Sequence, residues 1–297
     1  MTHYNTFDMS AMVYVNGRIS DAATASVPVF DHGFLYGEGV YETLRTYDRQ
    51  PFLFDRHMTR LRKSASMMDL DVPFTDADLR ARVDQTIAAH PALAADEAYI
   101  RILLTRGVGE LTYNPAATPV PTLVIIVKPF PAPPARTFTD GIKVSLVSVR
   151  RNHPHALNPM IKSNNLLNNA LAMQEALRHG SDEALMQNQA GELVECSQSN
   201  FFVVRGGDVL TPPLAAGLLP GITRAYVLEL AATLGIPGRE AALRPADLAT
   251  ADEAFITGTT REVTPVVAVD GKPIGSGRPG PISLRLLAEF RQLATGK

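Results

Sequence analysis

KPFPAPPARTFTDG, residues 128–141, carries four prolines that neither an interior strand nor a helix accommodates. It favours an extended connector and divides the chain in two. On its N-terminal side, MVYVNGRIS joins two short alternating runs across Asn16-Gly17, a tight-hairpin signal. Met58, Leu61, Ala65 and Met68 then recur at helical spacing, and Leu79, Val83 and Ile87 line one face of a second helix after Asp76. AYIRILLT (98–105) and TLVIIVK (122–128) read as strands. On the C-terminal side, IKVSLVSV (142–149) reads as a strand and SNNLLNNALAMQEALRHG (163–180) as a helix stopped by Gly180. Hairpins turn at Ala190-Gly191 and Gly206-Gly207. ITRAYVLELAATLG opens a helix directly after Pro220-Gly221, with Ala225, Leu228 and Ala232 on one face and Val227, Leu230, Ala231 and Leu234 widening it. EAFITG (253–258) and VVAVDGKPI (266–274) are strands, the second turning at Asp270-Gly271, and PISLRLLAEFRQLA (281–294) is an amphipathic helix. Strands and helices mix without regular alternation, which predicts α+β layers and not a doubly wound parallel sheet. The expected division is a domain over 1–129, a linker over 130–140 and a second domain over 141–297.

The bulk numbers narrow the class of partner. With 297 residues, 45% hydrophobic, the chain can bury a substantial core. A formal charge of -2 with scattered arginines gives no basic face for nucleic acid, so small molecules or copies of the chain are the expected partners. One cysteine, Cys196, excludes an internal disulfide and a cysteine-rich metal site, and fits a reducing compartment such as the cytoplasm. MTHYNTFDMSAM lacks a basic segment followed by an apolar core, and LVIIV (123–127) is too short to span a bilayer, so neither export nor membrane insertion is expected.

Three segments carry chemistry. Lys162, in PMIKSNNLLNNALAMQEA, is one of six lysines against 22 arginines and falls between a strand and a helix, where an amine can be held at a cleft for Schiff-base formation. Glu195 opens ECSQSNFF and offers a carboxylate to a protonated pyridine nitrogen. Arg60, in FDRHMTRL, offers a cation to a phosphate. Gly221-Ile222-Thr223 leads a helix whose free N–H groups make an anion site. Thr257-Gly258-Thr259-Thr260 adds three hydroxyls and a glycine that lets backbone approach a phosphate. Together these are the groups that hold pyridoxal 5'-phosphate. Taken singly, each has a plainer alternative as a solvated side chain, a helix cap or a polar turn. No Walker loop, G-x-S-x-G or HExxH occurs, GEGVYE (37–42) lacks the third glycine of a dinucleotide fingerprint, and His153 with His155 lacks a third ligand at metal spacing. No metal is expected.

In order along the chain, these segments resemble the class IV, fold type IV, pyridoxal-phosphate aminotransferases, which include branched-chain and D-amino acid aminotransferases and aminodeoxychorismate lyases. The resemblance covers nearly the whole chain. Its most specific part runs from Glu195 through Asn200 and Thr211 to LPGITR, ending at Arg224, and DHGFLYGEGVYETLR (31–45), HMTRLRKSA (57–65) and TGTTREVTP (257–265) resemble further family segments. It implies a smaller N-terminal α/β domain and a larger C-terminal mixed-sheet domain that binds the cofactor. Lys162 would form the Schiff base and shuttle the proton, and Glu195 would bind the pyridinium. Arg60, Ile222, Thr223 and Thr259 would hold the phosphate, and Leu219 would pack on the ring. It also implies a homodimer or larger assembly with shared sites, Tyr36 being lent by the partner.

Tyr99-Ile100-Arg101 resembles the Tyr-x-Arg pair that branched-chain enzymes place around substrate carboxylates. RGVGELTYNP resembles their following loop, and the Arg-x-His pair of D-amino acid enzymes does not occur between Gly107 and Pro115. The implied reaction is amino transfer between leucine, isoleucine or valine and 2-oxoglutarate. Tyr36, Tyr41, Tyr99, Arg101, Thr259 and Thr260 would meet the substrate. Three positions depart from the branched-chain pattern: Leu166 after Asn165, Tyr41 in place of phenylalanine and Thr260 in place of a small residue. They keep open a D-amino acid or (R)-amine transaminase and the lyase, beside a cofactor-binding protein without catalysis.

Overall fold

The computed structural model describes residues 10–93 and 96–296. Most of the N-terminal stretch read for export signals, residues 1–9, and Lys297 lie outside the described residues. The chain forms two compact units.

The first unit comprises the chain up to Pro131 together with Ile161–Asn165. Its elements are β1 (Met12–Val15), β2 (Arg18–Asp21), α1 (His32–Tyr36), β3 (Gly39–Tyr47), β4 (Gln50–Pro51), α2 (Phe54–Ser66), α3 (Asp76–Ala88), β5 (Ala98–Thr105) and β6 (Thr122–Pro129). The strands form an antiparallel sheet in the order β2-β1-β6-β5-β3-β4. The first hairpin turns as expected, with Asn16 at φ 44° and Gly17 at φ 99°. Strand alternation turns Val40, Leu44, Ile100, Ile102 and Ile125 into one core with Met58 and Leu61 of α2 and Leu79 and Val83 of α3. Tyr41, Thr43, Tyr99, Arg101 and Leu103 occupy the other face, half-buried.

Beyond the proline-rich stretch, Ile161–Asn165 returns to the edge of β3. Tyr41 N–H donates to Lys162 O and Asn164 N–H to Gly39 O, both at 2.9 Å, and Val40 pairs with Ser163. Gly39 permits this approach, because a Cβ there would stand 2.7 Å from both Asn164 Nδ2 and Leu104 O.

The second unit contains α4 (Arg136–Thr139), β7 (Ile142–Leu146), α5 (Leu167–Arg178), β8 (Glu183–Gln187), β9 (Leu193–Cys196), β10 (Asn200–Arg205), β11 (Asp208–Thr211), α6 (Ile222–Thr233), β12 (Gly238–Glu240), β13 (Glu253–Gly258), β14 (Glu262–Val269), β15 (Lys272–Pro273) and α7 (Pro281–Ala294). A nine-stranded mixed sheet runs β12-β11-β10-β13-β14-β7-β8-β9, with β15 on β14, and is parallel at β7–β8, β7–β14 and β11–β12. A further pairing of β9 with β10, Glu195 opposite Asn200, closes six of the strands into a ring. Inside it, Leu185, Cys196, Phe201, Ile256 and Val266 share a core.

Four local expectations need correction. The helix expected from Ser163 begins at Leu167, because Ser163 and Asn164 are bound to β3. The strand expected to reach Val149 ends at Leu146, and the Glu175 carboxylate takes Ser148 N–H and Oγ at 2.6 and 2.8 Å. The extended connector contains α4, which forms once the prolines end at Pro134 and buries Phe138 beneath the Arg291 guanidinium. In α6 the buried face is Val227, Leu230 and Ala231, while Ala225 and Ala232 are exposed, since the packing of small alanines is set by the neighbouring leucines and valine.

On the buried face of β3, between Val40 and Leu44, stands a carboxylate, Glu42, with no exposure. Arg60 of α2 donates to it through Nε at 2.8 Å and Nη2 at 2.7 Å, and His57 Nδ1 lies 2.7 Å away. Burial raises the proton affinity of Glu42, but the charge and hydrogen bonds of Arg60, followed by His57, outweigh it and leave the pKa at about 2. Burial holds His57 below its usual range, against the opposing pull of Glu42. Both folded-state values are depressed, so this stabilisation is complete above pH 6.5. It is lost as acid first protonates His57 in the unfolded chain and then as pH falls from 4.5 towards 2. Glu42→Gln removes the carboxylate that neutralises Arg60 and is expected to cost about 3–5 kcal/mol of stability. It should also flatten the acid slope below pH 4.5; urea unfolding across the acid range checks both, and an unchanged slope would contradict the assignment.

Candidate active site

Lys162 enters the site from the segment bound to β3. Its N–H donates to Ser64 Oγ of α2 at 3.1 Å, and its carbonyl is taken by Tyr41. This fixes the backbone on both sides of the side chain. Lys162 Nζ lies 4.4 Å from the centroid of the Tyr41 ring, and the Arg101 guanidinium carbon lies 4.0 Å from the same centroid. One aromatic ring therefore holds two cations. The β3–β5 register places Thr43 opposite Arg101, which sets Tyr41 and Arg101 on the same face.

Other expected residues of the first unit have different neighbours. Tyr36 ends α1, a helix capped by Asp31 accepting from Gly33 N–H at 2.8 Å, and its ring meets His32 at 4.9 Å and Tyr113 at 5.1 Å. Tyr99 shares the open face with Arg101, with Lys128 Nζ 5.3 Å from its ring. Arg60 is buried, two of its nitrogens directed at Glu42.

In the second unit, Glu195 is 4% exposed at the strand pair that closes the ring. Arg151 Nε donates to its Oε1 at 2.7 Å, and Oε2 accepts from Leu219 N–H at 3.1 Å and Asn200 Nδ2 at 3.3 Å. Asn200 Nδ2 also donates to Leu219 O at 3.1 Å. Gly221 is the N-cap of α6 and has no side chain to cap the helix, so no side-chain cap occupies the first-turn N–H groups of Ile222 and Thr223. A Cβ at Gly221 would come 1.9 Å from Asn200 Oδ1. Thr259 and Thr260 are half-buried just past β13. The remaining signature residues brace this end: Thr211 Oγ1 donates to Phe201 O at 2.9 Å, and Arg224 Nη2 donates to Pro212 O at 2.8 Å and to Glu240 at 2.7 Å.

Sequence reasoning passed over Glu42, His57 and Arg151. Glu42 was signalled only by its parity with Val40 and Leu44, and nothing distinguished Arg151 among 22 arginines. Thr257, opposite Asn200 in the β10–β13 register, is 1% exposed, and its Oγ1 has no hydrogen-bond partner. His153 and His155 face each other at 5.3 Å in an exposed turn, and no cluster suited to a metal occurs among the described residues. The second unit fits pyridoxal phosphate. It has a helix N-terminus without a side-chain cap for the phosphate, an orphaned buried hydroxyl beside it in the sheet and a buried carboxylate for a ring nitrogen.

The Amino-transferase class IV family model matches residues 39–269. Over 283 residues, 95% of this chain and 96% of the relative, the sequence is 40% identical to a Methanocaldococcus jannaschii protein provisionally called a branched-chain-amino-acid aminotransferase. It is 33% identical to a D-alanine aminotransferase of Listeria innocua, with 92% and 93% of the two chains covered. A solved structure of the T.th. branched-chain amino acid aminotransferase with pyridoxamine 5'-phosphate superposes with a TM-score of 0.90 at 30% identity, covering 96% of this chain and 94% of that one. A family match over most of the chain, joined to a donor set that suits the cofactor, makes this protein a member of the class IV aminotransferases, fold type IV enzymes that depend on pyridoxal phosphate.

Proposed function

We propose that the enzyme moves an amino group between a branched-chain L-amino acid (leucine, isoleucine or valine) and 2-oxoglutarate. The observation that carries this reading is the Tyr41 ring with Arg101 and Lys162 both against it. A site serving both partners must accept an aliphatic side chain and an acidic one. One cation stacked on an aromatic ring beside the reactive amine meets both demands: the ring offers apolar surface, and Arg101 offers charge to a carboxylate.

When bound, pyridoxal phosphate withdraws electrons from the substrate α carbon and makes its proton removable. In this reading Lys162 Nζ would be the amine that holds the cofactor and the base that takes up the proton of the substrate α carbon. Its anchored backbone limits the arc over which Nζ swings. Glu195 would hold the proton of the ring nitrogen. The N–H groups of Ile222 and Thr223, the hydroxyls of Thr223 and Thr259, and Arg60 oriented by Glu42 would bind the phosphate, and Leu219 would pack on the ring. Tyr36, Tyr99, Arg101 and the Thr259-Thr260 turn meet the substrate.

A second reading, transfer from a D-amino acid or (R)-amine, is favoured by Leu166 after Asn165 and by the D-alanine aminotransferase relative. We also infer a homodimer. Val29 at 65%, Phe30 at 51%, Phe34 at 72% and Leu111 at 66% exposure leave apolar side chains open around α1 and the loop after β5, which suits cover by a second copy. A cytoplasmic location is proposed on the lone buried thiol of Cys196. Among the described residues no helix is long and apolar enough to cross a membrane.

Visible absorption of the cofactor-loaded enzyme, followed during separate additions of L-leucine and D-alanine without acceptor, tests the reading. A shift to pyridoxamine absorption with L-leucine alone is expected; a response to D-alanine alone selects the second reading, and Lys162→Ala should abolish the response. Arg101→Leu is expected to raise the KM for 2-oxoglutarate about ten- to a hundred-fold, as loss of a charged hydrogen bond does, and the KM for leucine by less. Equal changes for both would separate Arg101 from acidic-substrate recognition. Phe34→Asp should shift the sedimentation coefficient of the dimer towards that of a monomer; sedimentation velocity reads the outcome directly.

A further inference from the structure

We propose that Arg151 is a positioning residue which, by keeping Glu195 ionised, keeps the shared proton on the cofactor's ring nitrogen. The inference rests on the reading that Glu195 is the partner of that nitrogen.

Consider one proton between a buried carboxylate and a pyridine base. It can sit on nitrogen, giving a carboxylate and a pyridinium, or on oxygen, giving two neutral groups. The proton count is the same, and burial alone favours the neutral pair, because separated charge is costly in a low dielectric. Glu195, 4% exposed, stands in such a place. A second carboxylate presses in the same direction. Glu183 on β8 is fully buried and accepts from Ser197 N–H at 3.2 Å, the Ser197 hydroxyl, Ala184 N–H at 2.9 Å and the Ser199 hydroxyl at 3.4 Å, all neutral donors on or beside the turn that leads out of β9. Its field reaches this strand: the thiol of Cys196, next to Glu195, is pushed well up by burial and then by the charge of Glu183, with Glu195 adding to it.

Arg151 opposes both effects. Its Nε lies 2.7 Å from Glu195 Oε1, and its Nη1 donates at 3.0 Å to Asn168 Oδ1 of α5, whose amide in turn donates to Arg150 O at 2.8 Å. The guanidinium, 8% exposed, is thus tied on two sides and cannot swing away. An opposite charge at this distance favours the ionised carboxylate. Leu219 N–H and Asn200 Nδ2 also bond to the charged form but bring no charge. Arg151 is therefore what holds the proton on the nitrogen, although it touches no reacting atom.

The test loads the enzyme with pyridoxal phosphate labelled with nitrogen-15 in the ring and records the ring-nitrogen chemical shift near neutral pH. Arg151→Gln keeps a donor for Oε1 and loses the charge, whereas Arg151→Lys keeps the charge and loses the fork. A pyridinium shift is expected in the wild type and Arg151→Lys, and a shift to the neutral-pyridine position in Arg151→Gln. A pyridinium signal in Arg151→Gln, or a neutral one in Arg151→Lys, overturns the proposal. Should Arg151→Gln fail to fold, Arg151→His supplies a charge that acid restores: its ring nitrogen should change from pyridinium to neutral as the pH rises through the histidine range. A pH-independent signal there counts against Arg151. Glu195→Gln separates the underlying reading. A pyridinium retained in that variant removes Glu195 as the partner, whatever Arg151 does.

Discussion

A carboxylate set in an apolar interior needs donors brought to it, and in each unit of this chain one such carboxylate is met by a cation. In the first unit Glu42 faces the core from β3, between Val40 and Leu44, and Arg60 and His57 of α2 meet it. In the second unit Glu195 sits where β9 meets β10, and Arg151 meets it. Neither pair is an efficient source of stability, since well-packed apolar side chains of similar volume do as well or better. What the pairs specify is position. Glu42 fixes the rotation of α2 against β3, because only the turn carrying His57 and Arg60 can face it. Glu195 fixes the segment after β7 and the loop before α6 against one carboxylate, through Arg151 and the Leu219 N–H.

The same logic runs in reverse at Lys162. An amine that has to attack carbon is hindered by a buried carboxylate, which would hold it as an ammonium. Tyr41 provides a weaker hold: an ammonium on an aromatic face gains about 0.5–2 kcal/mol, little enough to release Nζ. Placement is left to the backbone, where Ser64 and Tyr41 grip Lys162 on either side. The segment achieves this only by leaving the helix that its sequence would start at Ser163. The residues Ser163 and Asn164 pair with β3 instead, and a tertiary edge outweighs a local helical preference.

That exchange shows where the sequence could be read and where it could not. Periodicity located β5, β13, α3 and α7, and turn chemistry located Asn16-Gly17, Ala190-Gly191, Gly206-Gly207 and Asp270-Gly271, because each of these is set by residues adjacent in the chain. The start of α5 and the end of β7 were misread. In both the deciding partner lies outside the segment itself: Gly39 and Val40 for Ser163 and Asn164, and Glu175 for Ser148. For the candidate site, Lys162 and Glu195 stood out in the sequence because scarce chemistry fell at distinctive spacing in a distinctive order. Glu42 and Arg151 did not, because a buried charge announces itself only through the partner that folding brings to it.

Gly221 shows how tightly the second unit couples its two ends. The residue must be the N-cap of α6 without a side chain that would occupy the helix donors, and it must also let Asn200 lie against it, with only 1.9 Å between a virtual Cβ and Asn200 Oδ1. Asn200 in turn bridges Glu195 Oε2 and Leu219 O, and stands opposite Thr257, whose hydroxyl is buried without a partner. A methyl group at Gly221 would therefore act at a distance. It would displace Asn200, loosen the carboxylate that Asn200 supports and disturb the strand pair that closes the ring, before it touched any ligand at the helix end. The uncapped end of α6 and the carboxylate are thus not two features that happen to share a unit. They are joined through one amide side chain, and the absence of a Cβ at Gly221 is the condition for both.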